Sequence, residues 1–134
     1  MAKIFLDRNK VNSMLKEARV NAVEAAMYPF ADEAKRLVRD EDHVDTSRYI
    51  NSIGYRTDFP ETNKSGKGRI LPSDDDIIHD LTETQDKTIL ESGTAVPYSI
   101  YNEGRYNILA RGLDNAEAEM HAAGIAEVNK VFSK

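Results

Sequence analysis

Residues 9–38, NKVNSMLKEARVNAVEAAMYPFADEAKRLV, decide the fold. Val11, Met14, Leu15, Ala18, Ala22, Ala25, Ala26, Phe30, Ala34, Leu37 and Val38 recur at steps of three and four, the period of one helical face. The spacing predicts a long amphipathic helix. Asp7 or Asn9 would cap its start, and Arg36 and Arg39 would sit at the favourable negative end of its dipole. Pro29 lacks the N–H a helix interior needs, so a kink or a division is expected near Met27 and Tyr28.

After the polar residues 40–43, Asp45 and Thr46 offer a second N-cap ahead of a short helical turn at 48–52. Ile50, Ile53 and Tyr55 then read as the approach to a strand, with Ser52 and Ile53 at its start. Residues 60–68, PETNKSGKG, are turn formers throughout and predict a hairpin tip, with 69–71 as the returning strand. The acidic segment 73–86 would lay Ile77, Ile78 and Leu81 on the body of the protein. Residues 87–92 read as a further strand, closed by Gly93 and Thr94, of which Gly93 supplies backbone freedom. Pro97 fits the first position of a helical turn that holds Tyr98, Ile100 and Tyr101, packs the strand-helix junction, and ends at Gly104. From Ile108 onward Leu109, Leu113, Ala116, Met120, Ala123, Val128, Val131 and Phe132 restore the helical period, with Gly112 and Gly124 as weak points or places of close approach. The sum is an α+β protein: a long N-terminal helix, a small antiparallel sheet with an extended hairpin or loop, and a C-terminal helix. It forms one domain, 1–134, with a charged loop or insertion at about 59–86.

Composition narrows the class. With 134 residues, 40% hydrophobic and 31% charged, the chain is neither a disordered tail nor a membrane protein, because no apolar run approaches the roughly 20 residues that span a bilayer. It contains no Cys, which excludes thiolate zinc sites and cysteine nucleophiles. The apolar stretch at residues 4–6 is too short for a signal-peptide core. The net charge is −5, and the deficit is local: residues 59–86 hold three basic and seven acidic groups. Lys64, Lys67 and Arg69 form a basic tip, whereas Asp74, Asp75, Asp76, Asp80, Glu83 and Asp86 follow with no intervening Lys or Arg. These are either solvated loop segments or a self-complementary surface, the tip of one subunit meeting the strip of the next.

Few residues carry recognisable chemistry. His43, His79 and His121 lie far apart, none with a second ligand at zinc-motif spacing, and the aspartates lack the glycine punctuation of a calcium loop. Gly66-Lys67-Gly68 lacks both the leading Gly and the hydroxyl residue of a phosphate-binding loop. No serine sits in a G-x-S-x-G elbow. No catalytic residue, metal ligand or cofactor is therefore assigned. Tyr49, Tyr55, Tyr98, Tyr101 and Tyr106 could stack on nucleic acid bases, but a chain of net −5 lacks the basic footprint of such a binder, which favours core or interface anchors.

Two stretches together resemble the head-tail joining, or neck and tail-completion, family of long-tailed bacteriophages. Residues 44–53, VDTSRYINSI, are similar to that family's Asp-Thr-Gly, aliphatic residue and Asn-Ser-Ile pattern, carried here by Asp45, Thr46, Ser52 and Ile53. Residues 91–113, ESGTAVPYSIYNEGRYNILARGL, resemble its Gly-Thr strand end, Tyr-Ala-x-Tyr turn, Glu before Gly, and aromatic-Leu-x-x-Ala-Leu helix entry, carried by Gly93, Thr94, Tyr98, Tyr101, Glu103, Gly104, Leu109 and Leu113. Ser47 stands where the family has Gly and Tyr49 where it has Leu, while Arg111 and Gly112 replace Pro and Ala.

The resemblance implies a non-enzymatic virion protein, made in the host bacterial cytoplasm, that assembles with itself as a sixfold or twelvefold ring at the head-tail junction. Its partners would be portal or adaptor proteins on one side and tail terminator or tail tube proteins on the other, with DNA passing through unread and no membrane involved. A tail-terminator or minor capsid protein of the same virion is an alternative, and a small cytosolic enzyme or regulator using the acidic segment is one of another class. Lys64, Lys67 and Arg69, with Asp74, Asp75 and Asp76, are the candidate contacts between subunits. Replacing Lys64, Lys67 and Arg69 together by Ala is expected to leave the circular dichroism of the monomer unchanged and to disrupt ring or virion assembly; infectious particles at normal yield would contradict this.

Overall fold

A computed structural model of the chain describes residues 7–41, 47–62, 70–97 and 99–133. Helix α1 (Arg8–Asp40) is capped by Asp7, whose carboxylate accepts from the Lys10 amide at 3.1 Å. It runs through Pro29 unbroken, so the expected division near Met27 does not occur. An interior proline costs about 3 kcal/mol. Met27 and Phe30, buried on either side of it, offset that at roughly 1.5–3 kcal/mol each.

Helix α4 (Ile108–Phe132) packs antiparallel along α1, with Gly112 against Ala34 and Gly124 against Ala22. A Cβ on Gly112 would lie 3.1 Å from the Ala34 Cβ and 3.2 Å from that residue's backbone N and Cα. The two helices therefore touch backbone to backbone at this level, as the sequence suggested. Short helix α2 (Arg48–Ser52) supplies Tyr49 and Ile50, which join Ile53, Leu37, Val38 and Ile108 in the core.

The sheet is one antiparallel hairpin, β1 (Ile77–Glu83) and β2 (Thr88–Thr94), in register Ile77 with Thr94 and Glu83 with Thr88. The Thr84 amide donates to the Lys87 carbonyl at 2.8 Å, and the Thr84 hydroxyl accepts from the Lys87 amide at 3.1 Å, closing the four-residue loop. One face lies toward α1, where His79 Nε2 meets Glu24 at 2.8 Å, Lys16 meets Glu83 at 3.8 Å, and Arg19 donates to Thr88 at 3.3 Å. The base of the hairpin is packed, and its outer half is exposed.

Three sequence expectations are corrected here. First, no strand follows Ile53: Gly54 turns at φ 73°, its amide donating to the Gly93 carbonyl at 2.9 Å, and its Cβ would come 2.8 Å from that of Ala31. A turn wedged so tightly against α1 removes the chain from any ladder. Ser52 ends α2 rather than starting a strand, and Ile70 and Leu71 are irregular and exposed. Second, the acidic segment read as an insertion is β1 itself. Ile77, Ile78, Leu81 and Thr82 give it strand propensity, and Asp80 points away from the helix, opposite Glu91. Third, α3 (Ser99–Tyr106) does not stop at Gly104 but continues to Tyr106, and Pro97 lies two residues ahead of it. The proposed cap residues Asp45 and Thr46, the tip residues Lys64, Lys67 and Arg69, and Tyr98 lie outside the described residues.

Gly112→Val is expected to lower stability by about 1–3 kcal/mol, because its methyl groups must displace α1 backbone. Gly104→Ala, in open space inside α3, should raise it by roughly 0.5–1 kcal/mol. Urea unfolding midpoints of the two variants check both signs.

Candidate functional site

The two stretches that carry the family resemblance meet in space. At the end of α2 the buried Ser52 hydroxyl donates to the Tyr49 carbonyl at 2.7 Å and contacts the Thr94 hydroxyl at the end of β2. Thr94 Oγ1 in turn accepts from the Val96 amide at 3.2 Å and donates to the Asp76 carbonyl at 3.3 Å. Beside it, the Ala95 amide donates to the same carbonyl at 2.8 Å. A buried hydroxyl pair is stable only when each member has further partners, and these two have them.

Asp76 anchors the other side of this joint. Its carboxylate receives Arg48 Nε at 2.9 Å, Arg48 Nη2 at 2.8 Å and the Ser73 amide at 3.0 Å, an arrangement that closes a capping box on the 3₁₀ turn at Asp74–Asp76. The Arg48 guanidinium holds the Asp76 carboxyl below its ordinary 3.8. Asp76 is therefore spent inside the fold rather than offered to a partner, a correction to its reading as part of an acidic strip. Asp74 is exposed yet paired with Arg56 at 2.8 Å, and Asp75 is exposed. The open face of the hairpin adds an acidic pair, since Asp80 and Glu91 stand directly opposite. Like charges in that position destabilise the sheet slightly.

Among the remaining motif residues, Glu103 has a clear structural role. Asn107 turns left-handed at φ 52° and gives α4 no side-chain cap, and the Glu103 carboxylate accepts instead from Leu109 N at 2.8 Å and Ala110 N at 3.3 Å. Gly93 is buried opposite Ile78, without a positive φ. Tyr101 is 60% exposed and takes a hydrogen bond from Arg105, so it does not pack the strand-helix junction as expected. Leu109 is half-buried against the core, and Leu113 stands half-exposed on α4.

Two hollows border these elements. An apolar groove of about 430 Å³ runs between α1, β2 and α4, walled by Met27, Phe30, Leu90, Leu109, Leu113 and Met120. A polar cleft of about 640 Å³ lies between the start of α1 and the hairpin loop, with Lys16, Arg19, Glu83 and Asp86 on its walls. Among the described residues no group of three or more His, Asp or Glu is placed to hold a metal ion, and no helix is long and apolar enough to cross a membrane. The groove, Glu91 and the cap at Glu103 were not found by reading the sequence. Each depends on a register between distant segments that no local pattern encodes.

A third cluster matters for pH. Lys35 Nζ lies 3.7 Å from the Tyr55 ring centroid, and burial pushes its ammonium down to about 8. Burial, aided by a hydrogen bond to Asp32, pushes the Tyr55 phenol up.

Because the folded Lys35 titrates below its ordinary 10.5, the unfolded chain binds more protons between about pH 8 and 10, and stability should rise there by roughly 2 kcal/mol. Lys35→Met should abolish that rise. Asp76 has the same sign in a different window: its folded carboxyl is depressed, so its ion pair stabilises the fold above about pH 4, and that stability is lost as pH falls toward the depressed folded value. Asp76→Asn should lower stability at neutral pH and flatten the acid limb. Urea midpoints from pH 2 to 10 test both, and an unchanged profile in either variant would contradict the assignment. Comparison with family models, with curated proteins and with solved structures returned no match to this chain.

Proposed function

We propose that this chain is a structural subunit of the bacteriophage neck. It assembles as a sixfold or twelvefold ring between the portal or adaptor side of the DNA-filled head and the tail terminator or tube, leaving a channel for DNA. One observation carries the reading: the two separate stretches that resemble the head-tail joining family converge on a single joint, Ser52 against Thr94, with Gly54, the residue after the first stretch, bonded to Gly93. Ser47 adds to it. At the position where the family has Gly, Ser47 adopts φ 73°, the left-handed conformation that favours glycine, so the backbone requirement persists although the residue differs.

The surface is consistent with an assembly role. Phe59, Tyr101, Ile125 and Leu71 are all more than half exposed, and among the described residues neither outer edge of the hairpin has a strand partner, the β2 edge bonding Gly54 at Gly93. A net charge of −5 suits a conduit, because nonspecific DNA affinity arises from Lys and Arg neutralising phosphates.

Native mass spectrometry with negative-stain imaging of the purified chain, alone and mixed with isolated tails or portal complexes, tests the reading. A ring, or a monomer that becomes a ring on either partner, is expected. A stable monomer indifferent to both would contradict it.

A further inference from the structure

Phe59 is 89% exposed, the most solvent-exposed of the large hydrophobic side chains among the described residues. Its loop is not slack. Asn51 clamps it from both directions, donating to the Glu61 carbonyl at 3.0 Å and accepting from the Glu61 amide at 2.8 Å. Arg39 holds the Glu61 carboxylate at 3.1 Å, and the Phe59 amide donates to the Thr57 hydroxyl at 3.1 Å. A bare aromatic ring on a pre-ordered loop has already met the entropic cost of immobilisation, which is the property of an interface anchor.

The same chain carries a groove that fits such a ring. At about 430 Å³ its volume lies within the range that holds a small ligand, ample for one phenyl group, and Leu113 on its lip is 49% exposed. Phe59 stands in solvent while the groove is open, so the chain does not fill its own groove. Charge complements shape. Asp58, next to Phe59, has no ion pair among the described residues. A helical turn before Val23 of the groove, Arg19 lines the polar cleft together with Glu83 and Asp86; it donates to the Thr88 hydroxyl and has no ion pair with a carboxylate among the described residues. Among the described residues, an anion without an ion pair stands beside the knob, and a cation without one stands a helical turn from the hole.

We infer that Phe59 of one copy seats in the groove between α1, β2 and α4 of the next, with Asp58 reaching Arg19 of that neighbour. Knob and hole are different surfaces of one chain, so the contact is heterologous and propagates into a closed ring when the rotation permits. One aromatic side chain buries only about 150–250 Å², far below the roughly 1,200–2,000 Å² of a stable pair. The contact therefore sets register while ring closure and flanking surfaces add the remaining area. This inference rests on the reading of the chain as a ring subunit and names the contact that closes the ring.

The absence of cysteine from the chain permits a direct test. Phe59→Cys and Leu113→Cys, mixed at equal concentration under mild oxidation, should give a mixed disulfide dimer at least about fivefold in excess of a control pair of Phe59→Cys with Ile125→Cys, since the bond demands close Cα approach. In parallel, Asp58→Arg and Arg19→Asp should each weaken self-association about tenfold by sedimentation, and a mixture of the two chains should recover a pair. Phe59→Asp, at an exposed site, should fold normally and fail to form rings. Rings formed undiminished by Phe59→Asp would overturn this contact and leave the ring reading standing. Loss of rings with Leu113→Asp but not Phe59→Asp would place a different occupant in the groove and overturn it as well. A wild-type chain that does not self-associate with or without tails, together with no excess cross-linking of the cysteine pair, would overturn both.

Discussion

The close approach of α1 and α4 at Ala34 and Gly112 is the constraint on which the rest of the structure depends. Where two helices meet backbone to backbone, their axial register and rotation are fixed together, because a ridge of small residues admits one seating. That seating turns Met27, Phe30, Leu37 and Val38 toward the hairpin and α2, and it brings Leu109, Leu113 and Met120 alongside them. The core and the apolar groove are thus two results of one contact. Pro29 is tolerated inside α1 for the same reason: the residues around it are held from outside the helix, so the lost internal hydrogen bond does not open it.

The second organising feature is the polar joint that ties α2 to the hairpin. The Ser52 and Thr94 hydroxyls meet in the interior and bond to the Tyr49 and Asp76 carbonyls, and the Arg48–Asp76 pair closes this joint toward solvent. Such a network specifies a geometry more than it adds net stability, since each group would otherwise be bonded to water. It determines where the hairpin leaves the helical body and in which direction its two open edges face.

The sequence made some of this legible and hid the rest for physical reasons. Both long helices could be read directly and the N-cap of α1 narrowed to Asp7 or Asn9, of which the structure uses Asp7, because periodicity and capping are local properties. Of the hairpin, the strand expected at 87–92 is β2, whereas its partner was sought in the wrong segments, 53–55 and 69–71. Turn-forming residues at 60–68 suggested a tip there, and aspartates at 74–76 and 80 masked the strand propensity of Ile77, Ile78 and Leu81. The conformation of Gly54 was decided by the presence of Ala31 across the chain, which no local pattern reports. Asp76 read as a surface charge because its partner, Arg48, is 28 residues away. The groove and Phe59 were missed on the same ground, since one is a product of helix register and the other becomes notable only once every neighbouring apolar side chain has found a place.

The interior of the chain fixes what its exterior presents. Small residues lock the helices, a hydroxyl and ion-pair joint orients the hairpin, and the surfaces left over are an apolar groove, a bare aromatic ring and strand edges. The measurement that bears most directly on this account is the copy number of the chain in purified phage particles, by quantitative mass spectrometry against the portal protein as internal standard. A neck ring predicts six or twelve copies per particle, lost together with the tail when heads are isolated. Copies in the hundreds, or none, would contradict it.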